Sequence, residues 1–255
     1  MAPVDEYHRF EREIDRWRIR RKDADDRKSV DEVFDKRNLM RIYKLFSDGV
    51  IDRFDFPIAT GKEGNVFRAS NPEGKLVAVK IYRTSTATFK DMAKYVLGDP
   101  RFKGTTRNKQ KLIMDWARKE YLNLERFHRY GIRVPKPIAI RDNIIVMEYI
   151  GDEVMPAREM RDVPLDNPEE IAGKILGYIK TAYQKARLVH GDISEFNVLM
   201  LGSEPVIIDV GQAVMLDHPL SGELLERDVR NLARYFRRYK MAIDASKELA
   251  EIRKK

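Results

Sequence analysis

With 255 residues and 43% hydrophobic content, the chain is long enough for one large domain or two small lobes around a sizeable core. It has no cysteine, which excludes disulfides, zinc-thiolate sites and thiol nucleophiles and fits a reducing compartment. Lysine and arginine outnumber aspartate and glutamate by 49 to 41, no apolar run approaches the roughly 20 residues of a membrane span, and the charged N-terminus does not read as a signal peptide; the expectation is a cytoplasmic protein with no membrane partner.

Part of the basic excess is clustered, in Arg16–Lys22 (RWRIRRK) and Arg101–Lys111 (RFKGTTRNKQK). Such runs are either solvated faces or surfaces for nucleic acid or nucleotide phosphates. Residues 1–30 carry only scattered apolar positions (Phe10, Ile14, Trp17), which suggests a weakly docked helix. From Ser29, read as an N-cap, the positions Val33, Phe34, Met40, Tyr43, Leu45 and Phe46 predict an amphipathic helix closed by Gly49. After Pro57 the period changes to that of paired strands: PIATGKEGNVFRA, the turn Asn71–Gly74, then KLVAVKIYR. Two of these strands are joined by Gly61-Lys62-Glu63-Gly64. Glycine amides there can point at a phosphate, and the same pattern also makes an ordinary tight turn. Lys80, closing VAVK, is either on a wet face or committed to an anionic partner. Thr84–Gln110 reads as a long connection with a short helix around Phe89–Leu97.

Lys111–Tyr130 places Leu112, Trp116, Leu124 and Phe127 on one helical face, with Gly131 as the stop. Glu120 lies on that face; a carboxylate on an apolar stripe needs a cation, and Lys80 is the candidate. His128 belongs to the surface of the last turn. Strands PIAI and IIVMEYI follow, joined across Arg141-Asp142-Asn143, and one small lobe hands over to another at Gly151. After a polar linker, Met155–Pro168, Pro168 takes the first position of a helix written EEIAGKILGYIKTAYQKARLV.

That helix feeds the stretch LVHGDISEFNVLMLGSEPVIIDVG, which holds Asp192, Asn197 five residues later, and Asp209 after a second apolar run. Phosphoryl transfer needs phosphates clamped, magnesium held by oxygen ligands and an acceptor oriented in line. Gly61, Lys62, Glu63 and Gly64 would cover the phosphates of ATP, Lys80 would contact the α and β oxygens and Glu120 would fix Lys80. Asp192 would orient or deprotonate the acceptor, with Asn197 and Asp209 as metal ligands. His190 reads as a packed residue that holds the loop.

The ordered set of glycine loop, VAVK, helix glutamate, HGDISEFN and IDVG resembles the protein-kinase signature. More closely, TGKEGNVF, LVHGDISEFNVL, IIDVGQAV and HPLSGELLERDVRN are similar to the RIO family of atypical protein kinases, in its Rio1 branch. The resemblance implies an α+β, two-lobed protein-kinase-like fold: a helical extension over 1–48, an N-lobe of antiparallel sheet plus helix over 49–150 carrying a mobile loop at 84–110, and a reduced, mainly helical C-lobe over 151–255. It implies ATP and magnesium as cofactors, with manganese able to substitute, and adenine bound by backbone at Glu148 and Ile150. The implied activity is serine autophosphorylation or ATP hydrolysis through a phospho-aspartate at Asp209. The implied partner is the maturing small ribosomal subunit, with its rRNA and proteins. Gly191 stands where ordinary protein kinases carry arginine, only 46 residues follow Asp209, and the short stretch ahead of the lobes is expected to leave no room for the winged-helix domain of the Rio2 branch. Two other readings are a small-molecule phosphotransferase of the aminoglycoside or choline kinase type, and a nucleotide-switched RNA-binding scaffold.

Overall fold

In the computed structural model, which describes residues 34–84, 89–102 and 108–254, the chain divides into two units. One runs up to Phe89 and takes in Ile138–Tyr149; the other comprises Lys90–Pro137 and Ile150–Lys255. The helix expected within residues 1–30, the basic run Arg16–Lys22 and the expected N-cap Ser29 lie outside the described residues.

The first unit opens with helix α1 (Lys36–Ser47), whose N-cap is Asp35 and not Ser29. The Asp35 carboxylate accepts the Asn38 amide at 2.7 Å, the bond that defines a good cap. Its buried face is Asn38, Ile42 and Leu45, an i, i+4, i+7 stripe, while Met40, expected on that face, is exposed. Gly49 closes the helix with φ +68°.

Five strands follow: β1 (Arg53–Thr60), β2 (Gly64–Ser70), β3 (Leu76–Tyr82), β4 (Pro137–Arg141) and β5 (Ile144–Glu148), in the order β1-β2-β3-β5-β4. β1 starts at Arg53, ahead of the boundary expected at Pro57, and the proline sits inside the strand at a shift of register against β2. A residue without an N–H is tolerated there because β1 is an edge strand and the ladder is already interrupted. Phe54, Phe67 and Phe34 pack beneath the sheet, the Phe67 centroid lying 5.2 Å from each of the other two. Ile42, Leu45, Val79 and Val146 complete this core, each large side chain contributing about 1.5–3 kcal/mol. One buried polar group ties the helix to the sheet. Asn143 Nδ2 donates to Asn38 Oδ1 at 3.0 Å and to the Tyr82 carbonyl at 2.6 Å, and its Oδ1 accepts from Arg41 at 2.9 Å.

The second unit contains α2 (Phe89–Val96), close to the expected short helix, and α3 (Lys109–Arg129), capped by Asn108. Leu112, Trp116, Leu124 and Phe127 of α3 are buried as expected, and His128 is exposed in its last turn. Helix α4 (Pro168–Thr181) has Pro168 at its first position behind the Asn167 cap. It stops well short of Val189: Ala182–Ala186 widen into a π-turn, Arg187 turns left-handed at φ 57°, and Leu188–Val189 form strand β7. Strands β6 (Arg158–Glu159), β8 (Val198–Leu201) and β9 (Glu204–Ile207) make one small sheet. β7 pairs with β10 (Val214–Met215). Helices α5 (Ser221–Phe236) and α6 (Ala245–Arg253) finish the unit. Among the described residues no helix is long and apolar enough to cross a membrane.

Candidate active site

The loop from His190 to Ala213 is closed at its base by the β7–β10 ladder, in which Val189 faces Val214 and Leu188 faces Met215. Within it, β8 and β9 form a hairpin turned at Gly202, with Val198 opposite Ile207. The Ile208 amide donates to the Asn197 carbonyl at 3.0 Å and carries the pairing one step further. Asn197 and Asp209 therefore issue from the same open end of one hairpin, although twelve positions separate them in sequence.

Asp192 joins them. Asn197 Nδ2 donates to the Asp192 carbonyl at 2.8 Å and to its Oδ2 at 3.0 Å, and Gln212 Nε2 reaches the same Oδ2 at 3.3 Å. With Nδ2 committed to Asp192, Oδ1 is the atom of Asn197 that has the chemistry to hold a cation. Burial raises the Asp192 carboxyl above the ordinary carboxylate range; Arg227, 3.8 Å away, opposes that shift and the like charge of Asp209 adds to it.

The backbone of this loop is held from below. Asp228 on α5 accepts the Gly191 amide at 2.7 Å and the Ile193 amide at 2.8 Å, and Arg227 donates to the Gly191 carbonyl. Burial pushes the Asp228 carboxyl up to about 7 against the pull of those two amides. Gly191 has φ +80°, and a Cβ there would lie 3.2 Å from Leu224, which is why neither arginine nor any other side chain stands at this position. His190 is buried and stacks on Phe127. Its Nε2 donates to the Ile208 carbonyl at 3.1 Å and its Nδ1 accepts the Asp192 amide at 3.2 Å, an arrangement that requires the neutral ring. Burial accordingly lowers its pKa to about 4. His190 is thus a packed support of the loop.

Asp209 has a left-handed backbone, φ 58° and ψ 55°, uncommon for a residue with a Cβ. The segment after it lies against α3. Lys119 Nζ donates to the Gly211 carbonyl at 2.7 Å and to the Ala213 carbonyl; Asn123 Nδ2 donates to the Val210 carbonyl at 2.8 Å and to Ala213 at 3.1 Å.

In the first unit, the Gly61 amide donates to the Gly64 carbonyl at 2.9 Å across the β1–β2 turn, and the Arg83 amide donates to the Glu63 carbonyl at 2.9 Å. A Cβ on Gly64 would meet the Ile81 carbonyl oxygen at 2.3 Å, so strand packing alone demands glycine there. Lys62 is exposed on the turn. Lys80 stands mid-β3, opposite Val66 and Ile145, with Nζ 5.0 Å from the Tyr82 ring centroid. Glu148 ends β5 opposite Val77. Ile150 begins the second segment of the second unit, where its carbonyl accepts the Ala157 amide at 2.9 Å. Glu120 is buried in α3 of the second unit, whereas Lys80 belongs to the first.

Residues 65–249 match the RIO domain. The chain belongs to the RIO family of protein kinases. This RIO chain is 46% identical over 230 residues to the RIO-type serine/threonine-protein kinase Rio1 of Haloferax volcanii, covering 90% of its own length and 79% of that protein. To the corresponding Rio1 of Methanocaldococcus jannaschii it is 39% identical over 219 residues, covering 86% and 74%. The human serine/threonine-protein kinase RIO1 is 41% identical over 245 residues, but these span only 43% of the human protein against 94% of this chain. Among solved structures, the Rio2 kinase-ADP/Mg2+-phosphoaspartate complex from Chaetomium thermophilum aligns with a TM-score of 0.66 at 23% identity, over 86% of this chain and 67% of that one. The likeness shows the expected two-lobed, kinase-like fold.

Asp192, Asn197 and Asp209 of the RIO chain form an all-oxygen set. Among the described residues no three His, Asp or Glu side chains converge into a metal cage. Magnesium, which keeps most of its shell for water and phosphate oxygens and takes only one or two carboxylates, fits such a set. The supports of the loop were given no role in the sequence reading. Asp228, Lys119 and Asn123 all sit on apolar stripes of their helices, Asp228 four residues after Leu224 and Lys119 three after Trp116.

Proposed function

We propose that the chain is an ATP- and magnesium-dependent serine/threonine protein kinase and ATPase that acts during maturation of the small ribosomal subunit. The observation that carries this reading is the hairpin end that brings Asn197 and Asp209 beside Asp192. Magnesium, when bound, would neutralise the phosphate oxygens of ATP, held by Asp209 and Asn197 Oδ1. Asp192 orients the acceptor hydroxyl and takes its proton, a role its raised pKa suits. Lys80 contacts the α and β oxygens with Glu120 as its counter-charge, Gly61–Gly64 cover the phosphates, and the backbone of Glu148 and Ile150 meets the adenine. Arg227 keeps the Asp192 carboxylate ionised.

In the ATPase branch an Asp209 oxygen attacks the γ-phosphorus and the bond to the β-phosphate oxygen breaks, releasing ADP. Water then cleaves the aspartyl phosphate to free phosphate, and the carboxylate returns. The Rio2 neighbour, described as a phosphoaspartate complex, supports this branch by analogy of fold. Its sequence identity is too low for more. The small-molecule alternative gains no support, since α5 begins at Ser221, soon after Asp209, with only the 3-10 turn Val210–Gln212 and the short strand β10 between them, where such enzymes need a large helical insertion to hold substrate.

Single-turnover reactions with labelled ATP, with and without small ribosomal subunits, test the proposal by following label into protein, hydroxylamine-labile phosphate and free phosphate. Asp192→Ala should slow transfer to protein by roughly 100- to 10,000-fold, the usual contribution of a general base. Unchanged turnover in that variant would remove Asp192 from its assigned role.

A further inference from the structure

Lys119 is fully buried, 0% exposed; its ammonium donates to the backbone carbonyls of Gly211 and Ala213 and lies 5.7 Å from the Trp116 ring centroid. Nothing about packing requires an ammonium there. A methionine of similar length would fill the space without the penalty of desolvating a charge. Burial lowers the Lys119 pKa to about 7, with the charge of Asp99 opposing the shift. Where its hydrogen bonds go is therefore informative: both are made to the segment directly after Asp209.

Asn123, one turn further along α3, takes the Val210 carbonyl and shares that of Ala213. Asn123 is itself oriented by Arg101, whose Nη2 donates to Asn123 Oδ1 at 2.9 Å and to Asp99 Oδ2 at 2.6 Å. Trp116 closes the other side, since a Cβ on Gly211 would lie 2.9 Å from its ring. Three of the four carbonyls from Val210 to Ala213 are thus held by buried side chains of one helix. The residue just before them, Asp209, is in a left-handed conformation that is unfavourable for an L-residue and persists only where its surroundings impose it.

We infer that Lys119, with Asn123, is a positioning residue for Asp209: their hydrogen bonds lock the Val210–Ala213 segment and so keep the Asp209 carboxylate in the orientation that holds magnesium. The orientation is then built into the folded unit and does not await a ligand. The inference rests on the proposed role of Asp209 as the metal-holding group.

The test compares full-length wild type, Asp209→Asn, Lys119→Met, Lys119→Gln and Asn123→Ser. Calorimetry measures ADP affinity with and without magnesium, and amide exchange of residues 210–213 is followed in the metal-free protein. The part of ADP affinity that depends on magnesium should vanish in Asp209→Asn. It should weaken roughly 10- to 100-fold in Lys119→Met, as expected when a group orienting a metal ligand is removed, with ADP binding in the absence of metal unchanged. Lys119→Gln, which retains a donor, should fall between wild type and Lys119→Met. Exchange at 210–213 should quicken in both Lys119 variants while that of α5 stays protected. A magnesium dependence that survives in Asp209→Asn overturns the reading of Asp209 itself. One that is lost in Asp209→Asn but intact in Lys119→Met overturns the role of Lys119 alone. Should Lys119→Met not fold, Asn123→Ser carries the comparison, and an unchanged magnesium dependence and unchanged exchange in that variant also overturn the inference.

Discussion

Acidification should strike this protein through His190. The neutral ring donates from Nε2 and accepts at Nδ1, so a proton added at Nδ1 would face the Asp192 N–H donor to donor and place a charge in a buried site. The folded-state pKa is about 4 against an ordinary 6.5. Between those values the unfolded chain binds the proton and the folded chain does not, so stability rises with pH across the window and is lost as pH falls through it. At 1.36 kcal/mol per unit, the difference amounts to about 3 kcal/mol withdrawn on going from pH 7 to pH 4. Asp228, raised to about 7, works in the opposite sense over much of the same range, because there its folded state binds the extra proton. The measurement must therefore subtract it. Urea unfolding followed by Trp116 fluorescence in a Trp17→Phe background, at pH 7 and pH 4, should show the parent losing about 3 kcal/mol more than His190→Gln. Equal losses in the two proteins would refute the assignment of a neutral, hydrogen-bonded His190.

Other perturbations have equally definite expectations. Asp228→Ala leaves the Gly191 and Ile193 amides buried without an acceptor, at about 1–3 kcal/mol each; thermal unfolding should register the loss, and ATP turnover should fall with it because Gly191 and Ile193 flank Asp192. Asn143→Leu removes the bonds of this side chain to Asn38 and Arg41 on α1 and to the Tyr82 carbonyl on β3, and chemical denaturation should detect roughly 2–4 kcal/mol of destabilisation. Asp35→Ala should cost about 1 kcal/mol through the lost cap, with faster amide exchange confined to the first turn of α1.

Much of the candidate site was legible because the residues that carry it are polar interruptions of apolar runs. Asp192, Asn197 and Asp209 announced themselves by spacing, and the hairpin that unites the last two follows from the apolar stretches on either side of Gly202. Features that depend on tertiary contacts were not legible. No glycine or proline stands between Thr181 and Arg187, and Ala-Tyr-Gln-Lys-Ala is good helical sequence; the π-turn that ends α4 early is marked by no residue preference. Arg187 adopts φ > 0 without the glycine that usually signals it. Met40 was misplaced because a stripe anchored on Phe34 counts from a residue outside the helix. Lys119 and Asp228 went unassigned for a different reason: a charge inside an apolar stripe is informative only once its partner is known, and both partners are backbone groups, which sequence does not distinguish.

Pro57 has a bearing on how this protein behaves at high concentration. An outer strand with a full row of unpaired amides is a template on which a second molecule can add its own strand. β1 forms one margin of its sheet and is interrupted by Pro57 and two slips of register, while β4, at the opposite margin, begins with Pro137. Each marginal strand therefore contains a residue without a backbone donor. Replacing Pro57 with threonine would restore both the donor and a residue that favours extended backbone. The expected result is a protein that folds and turns over ATP as before, yet associates reversibly when concentrated, which light scattering would register.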